Sequence, residues 1–63
     1  MNTNYTAFIA AFASAAGISN LAEADAQWAG WSRDLSNIER AIIEAGGSES
    51  GAAYGETFKD LAA

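Results

Sequence analysis

Between Asn20 and Ala45 the apolar residues Leu21, Ala24, Trp28, Trp31, Leu35, Ile38, Ile42 and Ala45 recur at intervals of three, four, three, four, three, four and three. That spacing places all eight on one face of an α-helix. The chain contains no Pro to interrupt it. The stretch predicts one helix over 20–45, roughly 39 Å long at about 1.5 Å per residue. Asn20 followed three residues later by Glu23 reads as a capping box, and Glu23 and Asp25 lie where the helix dipole favours negative charge. Gly46-Gly47 marks the far end. Two places weaken the rod. Gly30 costs about 1 kcal/mol relative to Ala in a helix interior. In Asp34-Leu35-Ser36-Asn37, three residues prefer caps to interiors. A break near residue 34 would give two shorter helices, but the stripe keeps its phase across the gap, which favours one.

Two shorter segments flank this rod. Tyr5, Phe8, Phe12 and Ala15 keep the same rhythm, and Ile9 and Ala16 widen the face. They predict a first helix over 4–16, capped by Asn2 or Thr3 and stopped by Gly17 in the left-handed conformation. Its alanines raise helix propensity and leave a thin surface that another helix can approach. GGSESG, residues 46–51, has the composition of a flexible connector. Beyond it Tyr54, Phe58 and Leu61 predict a third helix over 51–62, whose first turn Gly51 and Gly55 weaken. The expected fold is all-α. Three helices form a single domain over 1–63, the two short ones antiparallel to the long one and laid end to end along it. A layer two helices thick cannot cover both sides of its apolar surface, so a second copy or another protein is the natural cover.

Composition narrows the function. A chain of 63 residues buries only about 60% of the surface that its unfolded form exposes, so its stability is marginal. It has no Cys and no His, which removes disulfides and ordinary zinc ligation as staples. The formal net charge of −5 opposes direct binding to nucleic acid or anionic lipid. The uncharged run from Tyr5 to Ile18 is shorter than the roughly 20 residues that span a bilayer. Met1-Asn2-Thr3-Asn4 lacks the basic start of a secretory signal, so Asn4-Tyr5-Thr6 is read as a chance sequon and the expected location is cytoplasmic. The core volume comes from large residues such as Phe8, Phe12, Trp28, Leu35, Ile38, Ile42, Phe58 and Leu61.

No constellation for catalysis is visible. Without His or Cys, proton transfer or nucleophilic attack would fall to Asp, Glu, Ser, Thr, Tyr or the single Lys59. The glycine connector lacks the Lys-Ser/Thr of a phosphate loop, and no calcium-loop spacing of acids occurs. The expectation is a protein that is not an enzyme, with no metal and no cofactor. It would act by docking onto another protein, as an adaptor or stoichiometric inhibitor of the size that phages and mobile elements encode. Trp28 and Trp31 are the most distinctive pair, although residues on such a stripe are more often core than contact. Ile43 stands off the stripe and can mark a second contact face. The candidate interface is Trp28, Trp31, Leu35 and Ile43 as anchors, with Asp34 and Glu39 as an acidic rim. Two alternatives stand beside it. One is a homodimer or larger self-assembly with no other partner. The other is a nucleic-acid mimic, which Arg33 and Arg40 weaken by breaking up the acidic face.

Overall fold

The computed structural model describes residues 3–62, and among these the secondary structure is entirely helical. Four helices follow one another: α1 (Thr3–Ala16), α2 (Leu21–Trp31), α3 (Asn37–Ala45) and α4 (Gly47–Ala62). The expected three-helix layout with one long central rod is therefore wrong. The rod breaks between Trp31 and Asn37, and the molecule measures 28 × 23 × 19 Å, too short for a helix over 20–45.

The break has a local cause. The Ser32 hydroxyl donates to the Trp28 carbonyl at 2.6 Å, and the Ser32 N–H reaches the same oxygen at 2.9 Å. The Leu35 N–H closes a turn onto the Ser32 carbonyl at 3.0 Å. Ser36 then sits in extended backbone (φ −67°, ψ 161°) and caps α3. Its hydroxyl accepts the Glu39 N–H at 3.1 Å, and the Glu39 carboxylate accepts the Ser36 N–H at 3.0 Å. Such a reciprocal cap satisfies two backbone donors that a helix start otherwise leaves to water. A break that supplies its own caps costs little, so an unbroken apolar phase is not enough to keep the helix whole.

The other ends follow from the sequence more directly. Gly17 (φ +76°) terminates α1, with the Ile18 N–H returning to the Ala13 carbonyl at 2.8 Å. Asn20 caps α2 by accepting the Glu23 N–H at 2.9 Å. Thr3 is already the first helical residue of α1, and the cap expected from Asn2 lies outside the described residues.

Residues 46–51 are not a connector. Gly46 caps α3 and Gly47, at φ +65°, makes the corner, so α4 starts four residues earlier than its apolar pattern suggests. Gly47, Gly51 and Gly55 recur every four residues, and all three are buried. A Cβ on Gly51 would overlap the Phe8 carbonyl oxygen, and one on Gly55 would lie 2.6 Å from the Phe12 carbonyl oxygen and 2.7 Å from the Ala15 Cβ. Gly51 and Gly55 thus let α4 touch the backbone of α1, with both helices running in the same direction. This α1–α4 contact is the main helix pairing of the molecule, so the two outer helices lie side by side rather than end to end along a central one. The helix α2 turns away from α1 by 92°.

The core is built on rings. Phe8, Phe12 and Trp28 are fully enclosed with Ala24, Ala13 and Ile9. All seven aromatic residues join one chain of ring contacts, which Tyr5, Trp31, Tyr54 and Phe58 complete from the rim. Trp28 and Phe12 share its centre, and Trp28 meets Phe8 edge-on at 4.8 Å between centroids. Edge-to-face pairs of this kind add about 0.5–1.5 kcal/mol beyond the area they bury. Four large aliphatics expected to fill the core do not. Leu21, Ile38, Ile42 and Leu61 are 57%, 73%, 68% and 69% exposed.

Candidate functional site

The helix α3 carries the anomaly that singles it out. At about 100° per residue, Ile38, Ala41, Ile42 and Ala45 share one face of the helix, and Arg40, Ile43 and Glu44 share the opposite one. The first set is exposed and the second is half-buried. The helix has turned its apolar side to solvent and its charged side inward, and it contains no buried residue. Two partners hold it in this pose. Glu44 accepts the Trp28 indole N–H at 2.8 Å, which satisfies the one polar atom of the central ring. Asn4 donates to the Ala45 carbonyl at 3.2 Å and ties the end of α3 to α1. Ile43 packs on the core from the same inward side. Arg40 has its Nε buried without a hydrogen-bond partner among the described residues. Leaving such a group unpaired costs about 1–3 kcal/mol.

A cleft of about 250 Å³ opens beside the core, lined by Trp28, Trp31, Ser32, Leu35 and Tyr54. Its walls are almost wholly apolar, and the Ser32 hydroxyl beneath is already committed to the Trp28 carbonyl. Pockets for small ligands usually hold about 300–1,000 Å³ with several convergent polar groups. This cleft is smaller and has no such set; it suits one apolar side chain.

The six candidate contact residues separate in this geometry. Trp31 and Leu35 come together on the cleft wall, both half-buried, and Asp34 is exposed beside them in the α2–α3 turn. Trp28 is 1% exposed and presents no surface to a partner. Ile43 faces inward. Glu39 is exposed, but its carboxylate is engaged in the cap; the Ser36 backbone N–H, and then the Ser36 hydroxyl, hold its pKa below the ordinary value. Ile38 and Ile42, the most exposed large apolar side chains on α3, were read as core on the basis of their phase. The signal that could have found them is Ser36-Asn37-Ile38-Glu39. A capping box there ends one helix and starts another, which frees the second to rotate.

No family model matches this chain, and no match was found among curated proteins or solved structures.

Proposed function

We propose that this protein is non-catalytic and acts by docking onto another protein, as an adaptor or stoichiometric inhibitor, through the outward face of α3. The observation that carries this reading is the inversion of α3. Single exposed aliphatics are ordinary, but two isoleucines one turn apart, each more than two-thirds exposed, on a helix whose charged side is turned inward, are not. Amphipathic helices dock through such i, i+4 anchors. The Trp31–Leu35–Tyr54 cleft offers a second foothold, deep enough for one side chain of the partner. Asp34 is exposed in the α2–α3 turn beside the cleft and supplies an acidic group at its rim.

The test is affinity capture from the host with the wild-type chain and with Ile38→Asp/Ile42→Asp. Both side chains are largely solvated, so the double variant is expected to keep its circular dichroism and melting temperature while losing the captured protein. Equal capture by both chains would remove α3 from the contact.

A further inference from the structure

We propose that α3 is a lid. In a minor state of the chain it rolls about half a turn on its own axis and buries the Ile38/Ile42 face; the Glu44–Trp28 hydrogen bond is the latch that holds it open. The inference rests on the reading of that face as the contact surface and adds its regulation. Its first support is the build of the helix. The two faces of α3 lie on opposite sides, so a half turn exchanges them. The helices α1, α2 and α4 all contain buried residues, and α3 contains none. No enclosed side chain has to be withdrawn for it to turn. Both ends are jointed. The Ser36–Glu39 cap belongs to α3 and turns with it. Residues 32–35 form the near joint, and Gly46-Gly47, with Gly47 at φ +65°, forms the far one. A few residues at element ends are enough to absorb the backbone change of a hinge.

Opposing contacts bring the two states close in free energy. The roll gives up the Glu44–Trp28 bond and the packing of Ile43 on the core. It gains burial of Ile38 and Ile42, and it returns to water the Arg40 Nε that has no partner among the described residues. The rolled face also has somewhere to go. The cleft beside the core suits one apolar side chain, and its lining joins Leu35, at the near joint, to Trp28, the ring that Glu44 grips. Packed helices switch between discrete arrangements rather than deform continuously. The rolled state withdraws both isoleucine anchors from a partner. A latch on the side of α3 away from the contact thus sets how much of the protein can dock.

NMR relaxation dispersion at the Trp28 indole N–H of the full wild-type chain tests this. The expected result is microsecond-to-millisecond exchange with a minor population of about 0.1–10%. The minor-state indole proton should lie upfield, because it has lost the Glu44 acceptor. Ile38→Asp/Ile42→Asp bars the rolled state and should abolish the exchange. Glu44→Ala removes the latch and should raise the minor population about tenfold, the ratio that one charge-assisted hydrogen bond commands. Glu44→Gln keeps an acceptor and should restore the wild-type profile. A flat profile in the wild type overturns the proposal. So does exchange that survives Ile38→Asp/Ile42→Asp, which simple fraying of α3 would give, or a minor population that Glu44→Ala leaves unchanged. If Ile38→Asp/Ile42→Asp abolishes capture of a host protein while the wild-type profile is flat, only the lid falls. If the exchange behaves as expected and capture is indifferent to both isoleucines, the docking reading fails alone.

Discussion

The helices α2 and α3 carry two halves of one apolar rhythm and meet opposite fates. In α2 the stripe residues Ala24 and Trp28 are sealed in the core; in α3 the stripe residues Ile38 and Ile42 face water. The residues between them explain the difference. Ser32 through Ser36 terminate one helix and cap the next with their own hydrogen bonds, so the second half is no longer bound to the phase of the first. What then orients α3 is one apolar contact, Ile43 on the core, and two hydrogen bonds. Glu44 reaches the Trp28 indole, and Asn4 reaches the Ala45 carbonyl. Periodicity states which residues share a side of a helix. It does not state which side meets the core once a cap has cut the chain.

The largest effect that would test this contrast is the removal of one stripe residue from each half. Trp28→Ala removes a central ring of the cluster and leaves Glu44 without its donor. Truncations of buried Trp cost about 3–5 kcal/mol, most of the stability that a domain this small possesses. Ile42→Ala takes away a side chain that is already solvated and should change stability by no more than about 0.5 kcal/mol. Urea denaturation followed by circular dichroism compares the two. Comparable losses would mean that α3 is packed the other way round in solution.

Next in size is Gly51→Ala. In an open helix this change would gain about 1 kcal/mol of propensity. Here the new methyl overlaps the Phe8 carbonyl, and α4 must move off α1. Forcing atoms into a packed site costs about 1–3 kcal/mol, so a net loss is expected. A gain in melting temperature would show that the close α1–α4 approach does not exist.

The same two regions show how far the sequence could be read. The first helix was legible because Tyr5, Phe8, Phe12 and Ala15 keep a phase that Gly17 stops, with nothing in between to contradict it. The start of α2 was legible in Asn20 and Glu23. The fourth helix was hidden in part, because Gly47, Gly51 and Gly55 look like a loop by composition, whereas Gly47 makes the corner and Gly51 and Gly55 form the face that closes on α1. Their counterparts on α1 are Ala11 and Ala15, whose thinness shows in the sequence but whose pairing with these glycines does not. Trp31 ends α2 and Leu35 lies in the turn that follows, so the break itself brings both onto the wall of one cleft. The stripe places Ile38 and Ile42 in the core, but the Ser-x-x-Glu cap at Ser36 frees α3 to turn them outward.

A smaller effect probes that cap. Ser36→Ala should cost about 1 kcal/mol, the usual value of a lost N-cap. Because the Ser36 N–H and hydroxyl hold the Glu39 pKa down in the folded chain, the carboxylate's contribution is fully present above its unfolded pKa of about 4.3. It is lost as pH falls through the lower folded value. Wild-type stability should show this acid step, and Glu39→Gln should lack it. Melting curves between neutral pH and about pH 3 decide the matter; an acid step of equal size in both chains would place its source elsewhere.

The smallest change tests the cost of turning α3 inward. Arg40 buries its Nε without a partner among the described residues, a penalty that no apolar residue would incur. Arg40→Met keeps the unbranched stem, which packs along the same path, and removes the unpaired nitrogen. Replacing a half-buried side chain that carries one unpaired nitrogen by an apolar one of similar shape is commonly neutral to stabilising. A gain of about 0.5–1 kcal/mol is expected, read as a rise in melting temperature. The sign matters more than the size. A gain means that α3 bears a strain which the core alone does not justify, and which a contact on its outer face can offset. A loss means that the guanidinium is satisfied where it lies, and α3 would then need no partner to account for its orientation.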